Sequence, residues 1–284
     1  MSRYSSKMQE VIEQSIACPC CHSSFEANDS DLLCKNCGFK GLLLDGVFVM
    51  GNHIPSSVFD EKYEVMEIAN QDEATWRVFY EQQVKLVQPF LTPNSLVLDV
   101  GCSSMLPYEH QNPCLVAGLD PSFKSIRANP KADIRVCGSA TQLPFADQSV
   151  DTIVCFYSVH HMIGNRVSET RQNVACAFEE FGRVIKPGGN LLIFEVSPWL
   201  PFWWLQNFLW NRAKRVLGSK LDMYFWSPQA MAALGRKTFP RSVLKKIPCP
   251  ISPWALFPPV FTLRWLKVPR FLYPLTPHLY HWRF

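Results

Sequence analysis

Short apolar runs alternate with amphipathic stretches through the middle of the chain. Ser95-Leu-Val-Leu-Asp-Val-Gly-Cys-Ser-Ser-Met105 reads as a strand running into a loop of small residues. Its apolar, partly β-branched run suits a central parallel strand covered on both faces. Leu115–Asp120 predicts a second short strand that ends in an acid, and Ile134–Ala140 a third, leading to Gln142-Leu-Pro-Phe145. Ser149–Phe156 predicts a fourth, followed by Tyr157-Ser-Val-His-His161. Apolar residues at Val174, Phe178, Phe181 and Ile185 then recur at helical spacing, and Lys186-Pro-Gly-Gly189 separates that helix from a strand over Asn190–Val196. Strand–helix alternation of this kind predicts an α/β chain with a Rossmann-like, doubly wound, mostly parallel sheet.

The flanks follow other patterns. Phe59–Leu91 has helical character, with Val65, Ile68, Trp76, Phe79, Tyr80, Val84 and Val87 among polar neighbours. Such a region either caps a pocket or packs on a sheet edge. Pro89 and Thr92-Pro93-Asn94 mark its stop. These patterns divide the chain into 1–51, a small cysteine-bearing unit; 52–94, a helical linker or cap; 95–198, the strand–helix core; and 199–284, a lid and carboxyl-terminal contact region.

Charge sharpens that division. Residues 1–198 hold 15 Lys/Arg against 23 Asp/Glu, whereas residues 199–284 hold 13 against a single acid, Asp222. Eight of the nine Trp fall in the latter stretch. Trp203, Trp204, Phe208 and Trp210 precede the basic cluster Arg212, Lys214, Arg215, and Arg264, Lys267, Arg270 and Arg283 alternate with aromatics further on. Three readings fit: an interfacial helix on anionic lipid, a substrate lid walling an apolar pocket, or core packing of an added helix. Aromatics and aliphatics outnumber the cations, which favours a membrane surface or a hydrophobic substrate over RNA. No secretory signal and no apolar run of membrane-spanning length stand in the sequence. The expected location is therefore cytoplasmic, with peripheral membrane association.

Five of the eleven Cys lie in ACPCCHSSFEANDSDLLCKNCGFKG. Cys18-x-x-Cys21 and Cys34-x-x-Cys37 are two knuckles, each placing two thiolates on one side of a tight loop, and two such turns close a tetrahedral site. The expected metal is a structural Zn2+, with Cys20 and His22 as spare ligands. The segment over residues 16–51, with Leu33-Cys-Lys-Asn-Cys-Gly-Phe39 and Leu44-Asp-Gly-Val-Phe-Val-Met50, resembles the zinc ribbons of tRNA methyltransferase activators. Similar ribbons precede the catalytic domain of ribosomal RNA guanine methyltransferases.

Within residues 95–198, the pieces LVLDVGC, GLD, LPFADQSVDTIV, SVHHM and FGRVIKPGGNLLIFE stand in order. Together they resemble the class I S-adenosylmethionine-dependent methyltransferases of the UbiE/methyltransferase-11 type. The resemblance implies that Asp99, Gly101, Cys102 and Ser103 line the methionine end of S-adenosylmethionine. Asp120 would bind the ribose hydroxyls, with Pro121 and Ser122 beside it. The carboxylate also lies 19 residues after Gly101, near where a ribose diol would be reached. Ser139 and Ala140 would flank adenine, and Phe156 the cofactor's edge. The chain departs from the family in Ser103-Ser104-Met105, where further glycines are usual, and in Ser139, where an acid is common.

His160 and His161 follow the fourth strand, at the carboxyl edge where such sheets bind ligands. One of them is the candidate base for a hydroxyl or an acidic carbon; the alternative is a structural role at the strand–helix junction. The chain lacks an Asn/Asp-Pro-Pro-Tyr-like motif, which in the family goes with amino acceptors. The expected function is methyl transfer to an oxygen or carbon of a hydrophobic small molecule such as a quinone, lipid or polyketide-like compound, with Trp203, Trp204, Phe208 and Trp210 contacting it. The alternatives are a ribosomal or transfer RNA methyltransferase that grips RNA with ribbon and tail, and a non-catalytic relative.

Overall fold

The computed structural model describes residues 6–28, 31–50, 73–111, 113–249 and 275–284. Residues 51–72, which include Val65 and Ile68 of the predicted helical linker, and 250–274, with Arg264, Lys267 and Arg270, lie outside the described residues. Helix α1 (Ser6–Ser15) is followed by four short strands, β1 (Glu26–Asn28), β2 (Asp31–Leu33), β3 (Lys40–Leu44) and β4 (Val47–Val49). Helix α2 (Glu73–Val87) leads to β5 (Leu96–Val100), β6 (Leu115–Asp120), α3 (Phe123–Ala128), β7 (Ile134–Cys137) and β8 (Val150–Phe156). Next come α4 (Val167–Val184), β9 (Ile185–Pro198), α5 (Leu200–Leu217), α6 (Pro228–Thr238), β10 (Val243–Pro248) and β11 (Leu275–Arg283).

All eleven strands join one sheet in the order β1-β2-β3-β4-β7-β6-β5-β8-β9-β11-β10. Strands β7, β6, β5, β8 and β9 are parallel, as the alternation predicts. Strand β11 inserts antiparallel between β9 and β10, pairing Tyr280 with Ile193 and with Lys246. At the other side β4 adds in parallel to β7, with Val47 opposite Arg135 and Val49 opposite Cys137. The cysteine-bearing unit thus continues the core sheet.

The core is layered on both faces. Leu98, Ile153, Leu191 and Ile193 share one buried cluster with Val174, Phe178 and Phe181 of α4. Val97, Val116, Val154 and Leu192 share the other with Val87 of α2 and Ile126 of α3. A sheet apolar on both faces must be covered on both, and its strands read as continuous apolar runs for that reason. Helix α4 is tied down by Arg183, whose guanidinium donates to Glu180, Asp147 and the carbonyls of Leu143 and Phe145. This fork fixes the Leu143–Asp147 segment beside the sheet.

One boundary differs from the sequence reading. Ile185, grouped with the apolar face of α4, is already extended (ψ 133°) and pairs with Val150. Pro187 follows shortly after and cannot continue a helix. The register shifts between Val150 and Thr152, and Gly188 takes a φ of +81° in this irregular first part of β9.

Close contact between α6 and β11 gives a direct test. A Cβ on Gly235 would lie 2.4 Å from Nε1 of Trp282, which is fully buried. A rigid indole between sheet and helix has little room to move. Gly235→Ala is expected to lower stability by about 1–3 kcal/mol, read as a fall in the urea midpoint at unchanged slope.

Candidate functional site

Strand order reverses at β5, which has β6 on one side and β8 on the other. In an open parallel sheet the crevice at the carboxyl ends of such strands is the natural ligand site. Gly101 leaves β5 with φ +75°, and its missing Cβ accommodates Ser158, whose Cβ would otherwise be 2.4 Å away. Ser103 also takes a left-handed φ, +50°. Its N–H donates to Oδ2 of Asp120 at 2.9 Å, and its carbonyl accepts from the Asn129 side chain at 3.1 Å. Oδ1 of Asp120 accepts from the N–H of Ser122 at 2.8 Å. Asp120 therefore joins the two loops at the mouth of the crevice, and each carboxylate oxygen can accept more than one hydrogen bond. Pro121 is exposed and Ser122 is buried as the N-cap of α3, accepting from the N–H of Ser125.

Beneath this mouth Asp99 is buried and accepts a 2.8 Å hydrogen bond from the hydroxyl of Tyr108. Burial pushes the Asp99 carboxyl up to about 7; the Tyr108 donor works against this and the nearby Asp120 adds to it. The Cys102 thiol is buried too, and its pKa is raised by that burial and by Asp99 and Asp120. Phe156 stacks on Phe194 with centroids 4.5 Å apart and meets Tyr80 of α2 edge-on at 5.5 Å. Ser139 is exposed and Ala140 half-buried on the loop after β7, where the Ser139 hydroxyl lies 2.8 Å from that of Thr141. The predicted residues from β5, β6, β7 and β8 thus come together at one edge. Tyr80, from the helix that the pattern offers as a cap, joins them, as does Tyr108, which no sequence signal marks.

His160 and His161 sit on a 3-10 turn just past β8. Nδ1 of His160 lies 2.8 Å from Oε2 of Glu195, whose Oε1 accepts the His160 backbone N–H at 3.2 Å. A carboxylate that accepts from the ring puts the hydrogen on Nδ1 and leaves Nε2 as the basic nitrogen. His161 faces the carbonyl of Asp222 through Nδ1 at 2.9 Å, which sets the same tautomer. Glu195 was not among the candidate residues. An acid inside the buried run Leu191-Leu-Ile-Phe-Glu-Val196 is the one signal that could have found it, since a buried charge requires a partner. Tyr157, at φ +50°, marks strain in the backbone next to this pair.

The sulfurs of Cys18, Cys21, Cys34 and Cys37 all lie within 4.8 Å of one another. A tetrahedron of ~2.3 Å zinc–sulfur bonds has edges of about 3.8 Å, so the four thiols fit it. The knuckles are built alike. The N–H of His22 donates to the carbonyl of Cys18, and the N–H of Gly38 to that of Cys34. His22 and Gly38 both have positive φ, 60° and 75°. His22 thus serves as a turn residue, and Cys20 is exposed within its turn.

The four aromatic candidates of α5 split. Trp210 is 2% exposed and packs edge-on against Tyr224, and Trp203 is half-buried. Trp204 and Phe208 face outward, 64% and 73% exposed.

Asp99 carries a pH dependence with a defined sign. An unfolded-chain carboxyl ionises near 3.9. Between about pH 4 and 7 the native chain keeps a proton on Asp99 that the unfolded chain has released, so stability declines as pH rises through that window. Asp99→Asn should remove this decline. Relative to the parent, its urea stability should improve by about 2–3 kcal/mol from pH 5 to pH 8. A difference that stays constant with pH would contradict the raised carboxyl.

Residues 98–193 match the family described as a methyltransferase domain. A ubiquinone/menaquinone biosynthesis C-methyltransferase of Rubrivivax gelatinosus is 39% identical over 98 residues, 33% of this chain and 34% of that protein. A demethylmenaquinone methyltransferase of Porphyromonas gingivalis is 25% identical over 183 residues, 57% of this chain and 69% of the relative. A human protein named "Probable tRNA methyltransferase 9B" is 30% identical over 139 residues, 46% of this chain and 29% of that one. The chain therefore spans about a third or less of the first and last of these relatives. Among solved structures, a chain from the complex of the Haloferax volcanii Trm112 methyltransferase activator with a candidate methyltransferase superposes with a TM-score of 0.54 at 15% identity, covering 81% of this chain and 99% of that one. With the strand order and the loop after β5, these matches identify residues 98–193 as a domain of the class I S-adenosylmethionine-dependent methyltransferases.

Proposed function

We propose that the chain transfers a methyl group from S-adenosylmethionine to a carbon or oxygen of a hydrophobic small molecule, with a quinone as the favoured class. The observation that carries this reading is the buried His160–Glu195 pair at the carboxyl edge of β8. Oxygen and acidic-carbon acceptors lose a proton as they are methylated, and a base held in one tautomer serves that step. The quinone methyltransferases among the relatives agree with it.

In this reading the cofactor supplies an electrophilic methyl group when bound. Asp120 receives the ribose hydroxyls beside the amides of Ser103 and Ser122. Asp99, held by Tyr108, faces the methionine end with Gly101 and Cys102. Ser139 and Ala140 border adenine, and Phe156 closes the edge. Glu195 orients His160, and Nε2 of His160 takes the acceptor's proton. The chain's main contribution is alignment of the acceptor in line with the methyl group and exclusion of water. A second reading, RNA methylation, draws on the tRNA methyltransferase relative and on the ribbon's resemblance to methyltransferase activators.

The four-thiol cluster is proposed to hold one structural Zn2+. A site closed by four thiolates offers no open position, so it stabilises the fold and does no chemistry.

Separate measurements test these proposals. With a labelled methyl donor, label should enter an organic-extractable demethylquinone analogue and be absent from bulk tRNA; the reverse distribution favours the RNA reading. His160→Asn should reduce kcat by about 10²–10⁴ while calorimetric cofactor binding persists, and unchanged turnover would remove the base. Calorimetry that shows no cofactor binding would favour the non-catalytic relative. Elemental analysis should find one zinc per chain. Its removal by a chelator, or Cys34→Ser, should lower the melting temperature of the whole chain, because β4 is bonded to β7.

A further inference from the structure

Helix α5 packs inward through the buried Trp210 and the half-buried Trp203, and amide side chains tie it to the domain. The Gln206 amide donates to the carbonyl of Phe225 and accepts that residue's N–H, at 2.9 and 3.0 Å. Oδ1 of Asn207 accepts from the hydroxyl of Tyr224 at 2.6 Å, and Oδ1 of Asn211 from the N–H of Val167 at 3.0 Å. Its outward side carries Trp204, Leu205, Phe208, Leu209 and Val216, at helical spacing, with Val216 82% exposed. The outer face of a helix turned to water is normally polar. A contiguous exposed apolar stripe of this kind marks a contact surface.

Charge identifies the occupant. Arg212, Arg215 and Lys220 are exposed at the carboxyl-terminal end of the stripe, and the Arg212 guanidinium lies 6.0 Å from the Phe208 ring centre. From Trp199 to Cys249 the chain has nine Lys/Arg and one acid. A second copy docked through a two-fold axis would set these cations against one another. An RNA backbone would satisfy the cations but leave Leu205, Leu209 and Val216 without an apolar partner. An anionic bilayer surface satisfies both, because aromatic and aliphatic side chains enter the headgroup boundary while Arg and Lys meet lipid phosphate.

We infer that the outer face of α5 docks the protein on anionic phospholipid, with Trp204 and Phe208 inserted. This inference is independent of the acceptor's identity and of turnover. The full chain is tested by flotation with phosphatidylcholine vesicles that carry or lack phosphatidylglycerol. Binding should be at least about tenfold stronger on the anionic vesicles and should weaken with salt. Emission from Trp204 should be quenched by bromine-labelled lipid. A Trp204→Ser/Phe208→Ser/Val216→Ser variant should lose about tenfold or more in binding with its thermal unfolding unchanged, since all three side chains are exposed. Arg212→Glu/Arg215→Glu should abolish the preference for anionic lipid without touching the apolar stripe. Equal binding to both vesicle types, parental binding by the triple variant, or a dimer by light scattering that the triple variant abolishes would each overturn the inference.

Discussion

Strand β5 is buried along its whole length and bonded on both edges, and the candidate site is built at its carboxyl end. Backbone leaving such a strand has to turn sharply, because the next residues meet the neighbouring strand's loop. Gly101 turns where Ser158 approaches. Ser103 then holds a left-handed conformation that costs a non-glycine residue about 1–2 kcal/mol. The hydrogen bond from its N–H to Asp120 offsets that cost. The loop thus keeps its shape with fewer glycines than the family usually shows, because a carboxylate from the adjacent strand supplies the restraint.

Much of this arrangement was legible in the sequence. Leu115–Asp120 was read as a strand with the bounds that the structure gives it, since an apolar run that ends in an acid has few other places in a parallel sheet. The convergence of the four cysteine sulfurs is legible from their spacing, because each Cys-x-x-Cys turn is local. Partners set by tertiary packing were harder. Tyr108 reaches Asp99 from a loop with no periodicity, and Tyr80 reaches Phe156 from a helix whose position in space no local pattern fixes. Glu195 lay within reach of reasoning, because an acid in a buried strand demands a partner. The antiparallel insertion of β11 was hidden because Leu275–Arg283 reads as a basic, aromatic tail. Its alternation shows only once β9 is beside it. There Tyr280 and Trp282 turn inward and are fully buried, while His281 and Arg283 lie on the other side.

The aromatic residues of the carboxyl-terminal region divide by role. Trp210, Tyr224, Trp226, Tyr280 and Trp282 are buried and form edge and stacked contacts. Trp204 and Phe208 lie outside. The sequence shows only a dense aromatic stretch; helix phase decides which rings are core and which are surface. Amide side chains at Gln206, Asn207 and Asn211 set that phase by bonding to particular backbone and hydroxyl groups.

The pairing of β4 with β7 has a consequence for how the molecule can be cut. An unpaired parallel edge offers a row of amides and carbonyls to any passing strand, and natural sheets cover or blunt such edges. Here β4 covers β7 and, through β3 and β2, hands the exposed boundary on to the three-residue β1. The opposite boundary, β10, carries Lys245, Lys246 and Pro248. The cysteine-bearing unit is therefore also an edge guard. A fragment trimmed to the matched domain would bare β7 and invite intermolecular strand addition, whatever its own core could bury.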